Sequence, residues 1–309
     1  MNLPNRLKLF FLLFPVFLFA QMEEFRLLPD FYDSTSFMKI NILDTKYIQL
    51  KTKKGKTISE LSDLAYCNNI LYAISDRGNL YHFNIKMDKK IRDLKLLQSF
   101  SLRDGEGEKL RGTERDSEGL AVYGDKLLIS FERNQRVALY SKNGIELKKM
   151  KLNKKLRDKS RYIEANKGLE AVTYNDKYGL ITIPEEILKG VKKKKYHTLY
   201  AKKKVWRFKA DGDITSIEFI DKNTLLILLR KYRFMGNRFT SLVRVHLDRC
   251  NKKRVCQSEL LAKFDSFRGW HIDNFEGLCK VDKNRYLMIS DDNGSFFQKT
   301  LLVLFEIID

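Results

Sequence analysis

Asp116-Ser117-Glu118-Gly119-Leu120-Ala121-Val122, followed after a short turn by Leu127-Leu128-Ile129-Ser130-Phe131, is the phrase on which the reading of this 309-residue chain turns. An acid sits at the head of a small apolar run, and a second apolar strand answers it. The phrase recurs. Its copies are Ser62-Asp63-Leu64-Ala65-Tyr66, Leu169-Glu170-Ala171-Val172-Thr173, Ile217-Glu218-Phe219 and Phe275-Glu276-Gly277-Leu278-Cys279. Their answering strands are Leu71–Ser75, Gly179–Ile183, Leu225–Leu229 and Tyr286–Ser290. Repetition at a period of roughly 40–50 residues marks a propeller or solenoid.

The acids recur at intervals of 55, 52, 48 and 58 residues. The 33 residues after Glu276 and the 16 from Tyr47 to Asp63 together make one further period. Lys46-Tyr47-Ile48-Gln49-Leu50-Lys51 alternates as a strand does. The expectation is therefore an all-β propeller, five blades favoured with six as the alternative, its ring closed by the N-terminal strand. Closure removes the exposed sheet edges that otherwise invite aggregation. Each period holds four short strands broken by turn residues such as Asn68-Asn69 and Asn143-Gly144.

Residues 1–20 stand outside this pattern. Asn5-Arg6-Leu7-Lys8 is a basic start, and Leu9 to Ala20 is an apolar run of 12 residues, short of the ~20 that span a bilayer. The segment reads as a secretory signal cut after Ala20, with an uncleaved anchor as the alternative. The expected organisation is a signal at 1–20, an extension at 21–45 and a single propeller domain at 46–309, in a periplasmic or secreted protein. Cys250 and Cys256 flank Asn251-Lys252-Lys253-Arg254-Val255 and could staple a hairpin in an oxidising compartment, while Cys67 and Cys279 read as buried thiols.

The formal charge is +20, or +18 without Arg6 and Lys8. No nucleic-acid motif accompanies it, so nucleic acid is not an expected partner. Lys192–Lys195 and Lys202–Lys204 read as solvated loop lysines, or as peripheral contacts with acidic lipid or an envelope polymer. No Gly-x-Ser-x-Gly elbow or dinucleotide fingerprint is present.

Inner-strand acids of a propeller converge on the axis. Asp63, Glu118, Glu170, Glu218 and Glu276 would face one another, and carboxylates that close need a compensating cation. An oxygen-rich set suits Ca²⁺ or another divalent cation. The ends of the second strands add Asp76, Glu132, Glu185, Glu186, Asp291 and Asp292, accompanied by Arg77, Arg133, Arg136 and Arg230. Guanidinium forks beside a cation suit an anionic small molecule carrying phosphate or carboxylate. The competing reading makes the repeat acids turn-setting architecture.

The Asp116–Val122 phrase with Leu128-Ile129-Ser130-Phe131-Glu132-Arg133, and its echoes at Asn166–Val172, Ile214–Glu218 and Asn274–Leu278, resembles the esterase-like, or phytase-like, domain family of exported bacterial propellers. The resemblance covers residues of about 55 to 309. It implies a β-propeller and, by analogy with alkaline phytases, calcium-assisted phosphoester hydrolysis. Residue by residue it makes Glu118, Glu170 and Glu276 the best matches for metal or channel ligands, with Asp63 a shorter variant of the same position. The dense calcium-binding acids and full phosphate cluster of alkaline phytases are missing. Two functions follow as expectations. One is an exported metal-dependent hydrolase of phosphate or other esters, with Arg77, Arg133, Arg230, Glu132 and Asp291 at the substrate. The other is a non-catalytic propeller that binds a protein or envelope polymer through its loops.

Overall fold

The computed structural model describes residues 21–191 and 196–308. The signal-like segment and Lys192–Lys195 lie outside the described residues. Among these residues all regular structure is strand, apart from four single-turn 3₁₀ segments. Four four-stranded antiparallel blades and one seven-stranded sheet form a propeller arrangement. The blades are Leu61–Ser101, Ser117–Lys149, Leu169–Phe208 and Asp213–Asp265, each an up-and-down meander whose first strand is innermost. The seven-stranded sheet runs Asn274–Lys280, Arg285–Asp291, Leu301–Ile307 and then Ile40–Lys51. Ile40–Lys51 pairs antiparallel with Leu301–Ile307, and Gln21–Glu24 pairs on its far side.

Local sequence explains the hairpins. Asn68 and Asn69 both take positive φ, 52° and 62°, which a two-residue turn between right-twisted strands demands. Gly144 does the same at φ 77°. Cys250 and Cys256 are joined across the turn that connects two strands of the fourth blade. Cys279 is buried, whereas Cys67 is only half-buried.

Apolar residues fill every interface between successive sheets. Leu127 and Ile129 meet Ile74 and Leu80 across the first and second blades, and Leu226 and Leu228 meet Leu278 and Met288 across the fourth blade and the larger sheet. Ile48 and Leu50 of the N-terminal strand enter the same cluster as Leu71 and Phe83 of the first blade. Asp44 adds a polar tie there, accepting the Ile91 N–H at 2.7 Å.

The five inner strands pack in a cycle, the last (Asn274–Lys280) against the first (Leu61–Cys67). Each departs from regular pairing at one place. Ser62, Glu170, Thr215 and Glu276 are single extra residues opposite the second strand, and Glu118 with Gly119 shares one partner position. One step further along stand Asp63, Gly119, Ala171, Ser216 and Gly277. All but Asp63 are small, because the strands nearly touch. A Cβ on Gly277 would lie 2.9 Å from the Asp63 Cα, and one on Gly119 would lie 2.7 Å from the Val172 nitrogen.

Asp63 occupies the space these small residues leave. It is 1% exposed. Its carboxylate accepts the Leu120 N–H at 2.8 Å, the Leu278 N–H at 3.0 Å and the Ser216 hydroxyl at 2.9 Å. One side chain thus ties the first blade to three other sheets. Replacing Asp63 by Ala strands three buried donors, each costing about 1–3 kcal/mol. Asp63→Ala is expected to lose roughly 3 kcal/mol or more of unfolding free energy in urea titrations; a loss under about 1 kcal/mol would contradict this role.

Candidate functional site

At the axis end where the inner strands begin, three tiers of side chains come together. The extra residues of the inner strands supply Glu118, Glu170 and Glu276. The residue that follows the second-strand position paired just ahead of each bulge supplies Asp76, Glu132, Glu185, Arg230 and Asp291. Arg230 stands where the other four repeats carry an acid. Two residues ahead of the extra residue lie Glu60, Asp116, Gly168, Asp213 and Asn274.

Glu132 is the meeting point. Oxygen atoms of Asp116, Glu118 and Glu132 lie within 4.8 Å of one another, and so do those of Glu132, Glu170 and Glu185. Glu170 and Glu185 are buried, while Asp116, Glu118 and Glu132 are half-buried. Gly168 makes this crowding attainable, for a Cβ there would come within 1.9 Å of the Glu132 carbonyl oxygen.

The electrostatic cost is visible in the acids' proton affinities. Burial pushes the Glu118 carboxyl well above its ordinary range, and Glu170 and Glu132 push it further. Glu170 is raised by burial and by Glu185, with Arg230 opposing. Burial, Asp116 and Glu185 lift Glu132 to about 8. Asp291 rises to about 7 and Asp76 to about 6, both chiefly by burial. Asp116 is raised by burial against the pull of Arg133, whose Nε lies 3.1 Å away.

Cations brace the rim. Lys167 reaches Glu185 at 2.8 Å, and the Arg230 Nη2 lies 3.5 Å from the same carboxylate. Arg230 also donates to Glu276 and, at 3.2 Å, to Asn274, which in turn donates to Glu276 at 2.7 Å. Arg77 holds Glu60 at 2.7 Å.

Of the four expected metal ligands, Glu118 and Glu170 therefore enter the carboxylate clusters. Glu276 faces the same end but is taken by Arg230 and Asn274. Asp63 lies one step deeper with its oxygens committed to backbone and Ser216. Of the residues expected at a substrate, Glu132 is central to both clusters. Arg133 and Arg77 stand at the rim in ion pairs, Arg230 is locked between Glu185 and Glu276, and Asp291 accepts the Asn293 N–H at 2.8 Å. Glu218 is not brought to this end. It lines a 370 Å³ cavity at the opposite end of the inner strands, with Tyr66, Thr173 and Lys280, and burial raises it to about 7. Arg136 stacks over Phe131 beside Glu114 and is architectural. His271 leans out toward Asp30 at 3.6 Å.

Asp116 and Lys167 were absent from the expected site. Their signal was positional: Asp116 precedes Glu118 by two residues and Lys167 precedes Glu170 by three, so the same bulge that turns the glutamate inward carries them to the rim.

A family model described as "Phytase-like: Esterase-like activity of phytase" matches residues 56–294. No curated protein matches the chain. Among solved structures, the glutaminyl cyclase of Myxococcus xanthus is similar, with a TM-score of 0.50 at 10% identity over 87% of this chain and 97% of that one. A chain of the mitotic checkpoint complex aligns with a TM-score of 0.40 at 11% identity over 86% of this chain and 69% of that one. At such identities the likeness speaks of fold alone.

The raised acids give a signed expectation. The folded protein keeps these protons to higher pH than the unfolded chain, whose carboxyls release theirs near 4. Stability must then fall as pH rises from about 4, where the unfolded carboxyls ionise, and level off only above the folded values of about 6 for Asp76, about 7 for Asp291 and about 8 for Glu132. In chelator, the melting temperature should drop by about 5 °C or more between pH 5.5 and 8.5. Glu132→Gln should flatten the upper part of that profile. A profile that is level or rising would contradict the assignment.

Proposed function

The chain belongs to the phytase-like family defined by the esterase-like activity of phytase, and from that premise we propose that it is an exported, divalent-cation-dependent hydrolase of phosphate or other esters. In this reading the seven-stranded sheet is the fifth blade and Ile40–Lys51 closes the ring. The observation that carries the proposal is Glu132, whose carboxylate belongs to two groups of three acids at once. Two groups of three carboxylates joined at Glu132, on elements held rigid by the inner-strand cycle, suit a hard cation such as Ca²⁺.

Asp116, Glu118 and Glu132 on one side, or Glu132, Glu170 and Glu185 on the other, would hold the cation. When bound, it supplies charge neutralisation and Lewis-acid polarisation of an ester oxygen. The chain's own residues do the rest. Lys167 and Arg230 fix Glu185 in place and offset part of its charge. Arg133 and Arg77 present guanidinium groups at the rim, each about half exposed, where an anionic substrate would exchange for their carboxylate partners. Asp291 and Asp76 titrate near 7 and 6, so either can take a proton at neutral pH, as a general base must. The basic start and apolar run of residues 1–20, and the Cys250–Cys256 pair, support export.

Calorimetric titration of Ca²⁺ into chelator-treated protein tests this. Saturable binding is expected, weakened at least roughly tenfold in Glu118→Gln/Glu170→Gln. Glu276→Gln should change the affinity by no more than a few-fold, because Arg230 already occupies that carboxylate. Metal-dependent turnover of p-nitrophenyl phosphate or p-nitrophenyl acetate should vanish in the double variant. Absence of cation binding by folded protein would overturn the reading. Binding without turnover of any ester would leave a non-catalytic propeller.

A further inference from the structure

Large apolar side chains stand in water on the same face as the acidic mouth. Phe296 is 97% exposed, Phe297 91%, Met235 and Phe31 78% each, and Phe267 65%. Four of the five lie in connections that leave a second strand or enter an inner strand at the acid-bearing end. Phe296 and Phe297 follow the strand ending at Asp291, Met235 follows Tyr232, and Phe267 precedes the strand starting at Asn274. Phe31 joins them through the 266–269 turn, its Cε1 lying 3.5 Å from where a Cβ on Gly269 would be. Cations are interleaved: Arg233, Arg268 and Lys299 are exposed among these groups.

The phenylalanine loop is built to hold this posture. Ser295 N–H bonds to the Asp292 carbonyl at 2.7 Å, and Asn293 donates to the Gln298 side chain at 2.9 Å. Asp273 accepts from the Gln298 side chain at 3.2 Å and the Lys299 N–H at 2.8 Å, while Arg238 anchors Asp273 at 2.6 Å. Phe296 and Phe297 pack only edge to face, at 5.8 Å between centroids. A tight loop that turns two phenylalanines outward needs a surface that rewards their burial.

We propose that this face docks on an anionic lipid bilayer, with Phe296 and Phe297 inserted below the headgroups. The apolar groups project from four chain segments. Lipid rearranges around such groups, whereas a protein partner would need a pocket for each. Local charge favours anionic lipid at these groups: Arg233, Arg268 and Lys299 are exposed there and would meet lipid phosphates at headgroup depth. Docking presents the acidic mouth to the membrane surface. The proposal stands on surface geometry and does not depend on catalysis.

Vesicle flotation in chelator, which keeps Ca²⁺ bridging out of the measurement, tests it. Vesicles of phosphatidylglycerol and phosphatidylcholine should carry the protein upward, and phosphatidylcholine alone should carry much less. Phe296→Ser/Phe297→Ser should lower partitioning at least about tenfold, given the apolar area removed. Both positions are exposed, so its melting temperature should match the parent's. Leu147→Ser, on the outermost strand of the second blade, should float as the parent does. Failure to float, or floating that the double variant leaves unchanged, would overturn the proposal; the second outcome would mean adsorption by net charge. Association of the protein with itself, abolished by the same variant, would also overturn it in favour of an interface between copies.

Discussion

Asp63 holds its carboxylate among the Leu120 and Leu278 N–H groups and the Ser216 hydroxyl, drawing inner strands of four sheets onto a single buried side chain. A carboxylate so buried is costly unless its oxygens are satisfied. Burial raises its proton affinity well above the ordinary range even with those bonds in place. The arrangement works because the other repeats keep the same depth clear with Gly119, Ala171, Ser216 and Gly277. Any larger residue there would push a strand off the axis and stretch the contacts on which Asp63 depends. The inner cycle is consequently rigid, and the residues one step toward the mouth inherit that rigidity.

That inheritance explains how the mouth tolerates so many like charges. Glu118, Glu170 and Glu132 sit on strand ends that cannot splay to relieve repulsion, so the strain appears as raised proton affinity. The fourth blade answers it by placing Arg230 where its neighbours carry acids. Arg230 neutralises Glu276 and leans on Glu185, which leaves the carboxylate concentration in the sector between the second and third blades. With Ser62 and Thr215 at two of the bulge positions, Arg230 makes the ring a lopsided site, with an acidic pocket on one side and a satisfied ion pair on the other.

Much of this was legible in the sequence. The recurring phrase identified the propeller, the inner strands and the family, and Glu118, Glu170 and Glu132 were all named from it. Asp63 and Glu218 were aligned with them by their place in the phrase and went elsewhere. The reason is one bulge. The extra residue in the fourth inner strand is Thr215, so Glu218 falls three positions further along and faces the opposite end; Asp63 falls one position beyond Ser62 and turns to the axis. Arg230 read as a free guanidinium because nothing in its neighbourhood along the chain reveals Glu276, 46 residues away.

Strand periodicity, turn residues and the repeat length are local properties, and the sequence alone determined them: apolar alternation must face a core, and Asn-Asn or Asn-Gly must turn. Which acids share a site is not local. Side chains alternate faces at every residue, so a bulge displaced by one position exchanges a carboxylate at the mouth for a buried staple. That register is fixed by how closely the inner strands pack around the axis, and only the tertiary structure could decide it.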